Sequence, residues 1–333
     1  MQARAVVATE IGRVEYLSVD VPEPDEEELV IRLLHSWISN GTESSFIRGE
    51  RIAGDTPRSD ADPLPFPHVP GYQKVGHVER VGAKVPNLKA GDIVFATMSK
   101  VNGMFYPYGG HISPSVTHFS QVWKLPDGVS PESASGLVLS QVGFNAGIRP
   151  YLSTGDKAVV IGDGLVGHWA AQTLQHRGAR VMMLGKHEDR LVRFETRLMD
   201  KTVNIAVQDP VKAVNLFAPE GVQAVVDTVG SIQALEMFLP LMKRNGQISS
   251  AGFYGKFGQI DIQKMRDREL TLHTPAGWSK ERMDETLELL SQGILKTLHL
   301  ITHRFPAVHA AEAYELILSK KEHVLGVLLD WEQ

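Results

Sequence analysis

The stretch Gly162-Asp163-Gly164-Leu165-Val166-Gly167 constrains this chain more than any other, because of what stands on either side of it. An apolar, strand-like run at 158–161 precedes it, and a helical pattern from 166 to about 177 follows. Three glycines with this spacing between a strand and a helix answer three steric demands. Gly162 allows the tight turn, Gly164 lets backbone amides approach a diphosphate, and Gly167 lets the helix pack on the sheet. Leu165 and Val166 open the helix, whose unpaired N–H groups and positive dipole end attract phosphate. A dinucleotide-binding turn is the expectation. A purely structural strand-to-helix turn is the bland alternative.

The alternation continues past this turn. Strands are expected at 180–184, 224–227 and 247–251, with a helix at 232–242. Strand and helix at this spacing predict βαβ units and a doubly wound parallel sheet, the α/β Rossmann architecture. The first 125 or so residues read differently, as short strands between turns. Runs at 3–7 and 28–34 are strand-like, and 75–85, with Gly76 and Gly82, reads as strands joined by a tight turn. Five prolines make 52–70 a long loop, and 103–110 looks like another. Residues 131–147 are predicted as a helix capped by Ser130, with further helices at 280–292 and 307–319 and a last strand at 324–329. The whole is an α/β chain with a second, largely β domain.

A length of 333 residues favours two domains. The net charge is -5, with Lys and Arg interspersed among Asp and Glu, so no basic field exists to draw nucleic acid or an anionic membrane. No apolar run approaches the ~18 residues of a spanning helix, and the start lacks a secretory signal, so a cytoplasmic location is expected. There is no cysteine, which excludes disulfides and every thiolate metal site.

The end of the strand after the turn, about 20 residues on, sets which nucleotide fits. An Asp or Glu there would bind ribose hydroxyls and repel a 2′-phosphate. This chain has Gly185, then Lys186, His187 and Arg190. Glycine leaves room and the basic residues suit a phosphate, so NADP(H) is expected over NAD(H). A merely solvated helix face is the alternative for Lys186 and Arg190.

Several segments together carry a resemblance. The run from Gly71-Tyr72-Gln73-Lys74 to Val81-Gly82 is similar to the GHExxGxVxxVG signature of medium-chain dehydrogenases/reductases. Gly91-Asp92-Ile93-Val94, Leu125-Pro126-Asp127, Gly155-Asp156 and Asp227-Thr228-Val229-Gly230 match further family landmarks in order. Ser39-Asn40-Gly41-Thr42-Glu43, Ala251-Gly252-Phe253-Tyr254-Gly255, Leu300-Ile301-Thr302-His303-Arg304 and Leu329-Asp330-Trp331 resemble the subgroup containing bacteriochlorophyllide a dehydrogenase. The resemblance implies a GroES-like catalytic domain from 1–125 and 273–333, a Rossmann domain at 126–272, a cleft between them and a homodimer. It also places Thr228 and Gly252 at strand ends near the nicotinamide.

The departures bear on chemistry. Zinc-dependent members place a Cys where this chain has Ser39 or Asn40, and His-Glu where it has Tyr72-Gln73. The four structural Cys are missing too, and His111 and His118 read as loop or strand residues rather than ligands. No metal is expected. Hydride transfer to a carbonyl then needs a hydrogen-bond donor and a proton source in place of a Lewis acid. Tyr72 is the expected donor, with Thr42 and Ser39 starting a hydroxyl relay; space-filling and turn-capping are their bland roles. The leading expectation is a zinc-independent NADP(H)-dependent alcohol or carbonyl oxidoreductase acting on a small molecule. An enoyl or quinone reductase and a non-catalytic NADP(H) sensor are the alternatives.

Overall fold

The computed structural model describes residues 1–256 and 258–332. They fall into two compact units, one of Leu139–Arg282 with Gln292–Lys296, the other of Met1–Val138, Met283–Ser291 and the described residues from 297. The division thus lies at Val138 rather than after Leu125. One reason is local: the short helix Pro131–Ala134 packs on the strands Glu28–Ile38, Lys74–Val81 and Ile93–Ala96 of the first unit.

The second unit is built on six strands, all parallel. Their spatial order is Lys201–Asn204, Arg180–Gly185, Lys157–Ile161, Val222–Asp227, Met242–Ser250, Thr271–His273. Numbered along the chain that order is 3-2-1-4-5-6, the Rossmann arrangement, whose reversal lies beside Lys157–Ile161. The central strands Lys157–Ile161, Arg180–Gly185 and Val222–Asp227 are largely apolar because both faces are covered. Val159, Ile161, Met182, Leu184 and Val225 face one core, while Ala158, Val160, Val181, Met183 and Val226 face the other. The helix Leu165–His176 packs against the strands Lys157–Ile161 and Arg180–Gly185.

In the first unit a seven-stranded sheet runs in the order Val122–Lys124, Ile93–Ala96, Lys74–Val81, Glu28–Ile38, Gly326–Asp330, Ile301–Pro306, with Ser115–His118 also paired to Glu28–Ile38. A three-stranded sheet of Ile112–Ser113, Gln2–Glu10 and Arg13–Asp20 accompanies it. Both chain ends contribute, since Gly326–Asp330 pairs antiparallel with Glu28–Ile38.

Local expectations are corrected at several points. Residues 75–85 hold one strand, Lys74–Val81, rather than two. The loop at 52–70 contains part of a short hairpin, Arg51–Ala53 with Thr56–Pro57. The helix at 131–147 is broken into Pro131–Ala134 and Leu137–Ile148; Gly136 lies in the break, where a Cβ would come 2.8 Å from the Trp37 ring. The helix from Ile232 stops at Phe238, and Met242 already begins the next strand. The helix Asn40–Ile47 was not expected at all.

Candidate active site

The glycine turn fits a dinucleotide on three counts. Gly162 has φ +118, and a Cβ there would lie 2.4 Å from Thr228 Oγ1. At Gly167 a Cβ would come 2.1 Å from the Gly162 carbonyl oxygen, so only glycine lets the helix start this close to the strand. Gly164 is the opposite case. It is the N-cap of Leu165–His176, no side chain caps it, and a Cβ on it would meet nothing within 4 Å. The chain leaves an open space beside the amides of Leu165 and Val166, as a diphosphate requires.

Thr228 is tied to this turn, its hydroxyl donating to the Ile161 carbonyl at 2.9 Å. Gly252 follows the strand Met242–Ser250, and a Cβ there would lie 2.0 Å from Gly230 N. The neighbouring Asp227 is buried and was missed by sequence reasoning. It accepts from the amides of Val229 (2.9 Å) and Gly230 and from the Tyr254 phenol (2.5 Å). Burial and the Asp227 charge push the Tyr254 phenol up. The signal was present in Asp227-Thr228-Val229-Gly230, but only Thr228 was drawn from it.

At the end of Arg180–Gly185 the structure brings Gly185, Lys186, His187 and Arg190 together and adds Asp163, which the sequence left as a spacer in the glycine motif. Asp163 is 6% exposed and lies over Gly185, where a Cβ would come 2.4 Å from its Oδ2. That oxygen accepts from the amides of Lys186 and His187, both at 2.8 Å, and lies 2.9 Å from His187 Nδ1. Arg190 approaches the other oxygen at 3.6 Å. Lys186 is exposed. The strand end is therefore not acid-free: its acid arrives from the turn.

The second cluster belongs to the first unit. Ser39 stands at the N-cap of Asn40–Ile47 but caps no amide with its side chain; its Oγ instead accepts from the Tyr72 phenol at 2.6 Å. Thr42, in the first turn of that helix, also hydrogen-bonds Tyr72. Sequence reasoning thus put these three side chains in one place, on a helix end rather than in the loop it assumed. Loss of solvation is the main reason the Tyr72 phenol is pushed up to about 12, with a smaller contribution from the Glu43 charge.

Glu43 was missed. It is 2% exposed, and one oxygen accepts from the Ser39 amide at 2.7 Å. The other accepts from the Tyr314 phenol and lies 3.0 Å from His111 Nε2. His111 is fully buried, with Nδ1 2.8 Å from Ser36 Oγ, which also accepts from Trp331 Nε1. His111 is therefore a core bridge. His118 ends the strand Ser115–His118 at the surface, beside Ser120. These partners lie 68 and 271 residues from Glu43, beyond any local pattern.

Zinc, the metal that such a fold suggests, finds poor donors here. Asn40 spends its amide on the Leu325 carbonyl at 2.7 Å, and Gln73 donates to the Trp37 carbonyl at 3.2 Å. Tyr72 is engaged with Ser39, and its phenol resists ionisation. Amide and neutral phenol are weak replacements for thiolate and imidazole. Among the described residues no group of three or more His, Cys, Asp or Glu is placed to hold an ion.

Comparison with known proteins agrees with the architecture. Residues 166–292 match the family of zinc-binding dehydrogenases. Over 320 residues the chain is 27% identical to 2-desacetyl-2-hydroxyethyl bacteriochlorophyllide A dehydrogenase of Rhodobacter capsulatus, covering 93% of this chain and 92% of that one. Among solved structures, a dehydrogenase fold from Sinorhizobium meliloti 1021 bound to NADP superposes with a TM-score of 0.84 at 16% identity, covering 99% of this chain and 100% of that one. The rspB alcohol dehydrogenase of E. coli CFT073, complexed with NADH, gives 0.84 at 19% identity over 99% of both. The chain thus resembles the zinc-binding dehydrogenases across residues 166–292 and dehydrogenases of the medium-chain type along most of its length. It is an oxidoreductase of the alcohol dehydrogenase type, with bacteriochlorophyllide dehydrogenases among its relatives.

Proposed function

We propose that this chain moves a hydride between NADP(H) and an alcohol or carbonyl substrate without zinc. The observation that carries the reading is the Tyr72 phenol hydrogen-bonded to Ser39, two residues that the motif resemblance sets at metal-ligand positions of zinc-dependent members. A bound nicotinamide gives or takes the hydride at its ring C4. The chain's own work is to place a donor at the substrate oxygen and to return its proton. Tyr72, protonated up to a pH of about 12, gives the proton to the developing alkoxide, and Ser39 and Thr42 steady the phenol and begin the path by which the proton is replaced. Leu165 and Val166 amides at the Gly164 opening hold the diphosphate, and Gly162 and Gly167 make that opening possible. Thr228 and Gly252 shape the strand ends toward the nicotinamide half.

Lys186, His187 and Arg190 support the preference for a 2′-phosphate, since no side chain projects from Gly185 itself. Lys186→Ala is expected to weaken NADPH binding by about tenfold or more, the worth of one charge-assisted hydrogen bond, and to leave NADH binding unchanged. A fluorescence titration measures both; equal losses for the two nucleotides would contradict the preference. A homodimer through the open edge strand Thr271–His273, and a cytoplasmic location, belong to the same reading. Consistent with the latter, no helix among the described residues is long and apolar enough to cross a membrane.

A further inference from the structure

We propose that Asp163, inside the glycine turn, is the residue that limits the preference between NADPH and NADH. The inference rests on the nucleotide being held at this turn, as argued above. Three observations point to it. A carboxylate reaches the end of Arg180–Gly185 from the neighbouring turn, and Gly185 is bare because that carboxylate fills its Cβ space at 2.4 Å. Its Oδ2 is saturated by the amides of Lys186 and His187 and by the His187 ring, so it is fixed in place. Its charge is set against the basic groups that would hold a 2′-phosphate: His187 at 2.9 Å and Arg190 at 3.6 Å. Lys186 and Arg190 are the basic side chains here, while Asp163 and, in the short helix Glu188–Leu191, Glu188 and Asp189 are the acidic ones.

An acid at this place has a known consequence: it disfavours a phosphate on the adenosine ribose and tolerates a hydroxyl. Here the acid is nearly buried, where water screens its charge little. Asp163 therefore narrows a preference that the basic side chains alone would make wide. Asparagine is the informative replacement. Its oxygen can accept from the two amides as Oδ2 does, and its NH2 takes the place of the other carboxylate oxygen. The shape stays and the charge goes.

The test is the ratio of dissociation constants, NADH over NADPH, measured by fluorescence titration of wild type, Asp163→Asn and Asp163→Ser, with a melting curve for each. The ratio is expected to rise at least tenfold in Asp163→Asn and to rise in Asp163→Ser, which keeps a hydroxyl acceptor should the amide fit poorly. A ratio that stays within twofold of wild type, or falls, in variants that melt normally would overturn the proposal. A wild type that prefers NADH, combined with a rising ratio in the variants, upholds Asp163 and refutes the NADP(H) preference. A wild type that binds neither nucleotide overturns both.

Discussion

At the residue scale the proposed chemistry turns on one phenol. Tyr72 stands where the similar zinc-dependent signature has a histidine, and its phenol keeps its proton because its surroundings strip away water. An ordinary tyrosine begins to ionise near pH 10. Because the Tyr72 value is raised to about 12, the donor form persists across the alkaline range, and the carbonyl-reduction rate assigned to it stays level between pH 8 and 10. The same shift stabilises the fold fully below pH 10 and less as the pH rises through 12. Tyr72→Phe is expected to lower kcat for carbonyl reduction roughly 100-fold or more while leaving NADPH binding intact. An unchanged kcat in steady-state assays would show the phenol to be space-filling. The identities of Tyr72, Ser39 and Thr42 were legible in the sequence because a family landmark marks each place. Glu43 and His111 were not, since a glutamate in a polar run and a lone histidine carry no sign of partners that only the folded sheet brings near.

At the element scale the glycine turn separates two roles that a motif alone merges. Gly167 is packed and Gly164 is open. Gly167→Ala must push the helix Leu165–His176 away from the Gly162 carbonyl, and overpacking of this kind costs about 1–3 kcal/mol. Gly164→Ala projects its methyl into empty space, so it should cost less than about 1 kcal/mol as a poorer N-cap, yet reduce NADPH affinity at least tenfold. Melting curves beside nucleotide titrations resolve the two; similar effects from both variants would contradict the assignment. The turn, its strand and its helix were readable because they are local and strongly patterned. The helix Asn40–Ile47 was hidden by Asn40, Gly41 and Thr42, all weak helix formers at its start. It is held by tertiary contacts, among them Asn40 to the Leu325 carbonyl and Glu43 to Tyr314. Asp163 escaped notice because a variable position in a glycine motif says nothing about which neighbouring strand its side chain will cover.

At the scale of the whole molecule, two architectures share one chain. A parallel sheet covered on both faces gives apolar central strands, and that is why its parallel character could be anticipated from the alternation of elements, whereas the short, polar edge strands Lys201–Asn204 and Thr271–His273 could not be. The antiparallel unit draws strands from both chain ends, including Gly326–Asp330 and Ile301–Pro306, and only the family resemblance announced that closure. Short strands such as Ile112–Ser113 have too few residues to show a period. The central claim is nicotinamide-dependent reduction with a tyrosine in the role of a metal. The most direct test is NADPH consumption by chelator-treated protein, verified free of zinc, against a panel of aldehydes and ketones with enones and quinones as controls. Undiminished turnover of a carbonyl substrate by the metal-free protein is the predicted result. Activity that vanishes on stripping and returns in proportion to added zinc would contradict it.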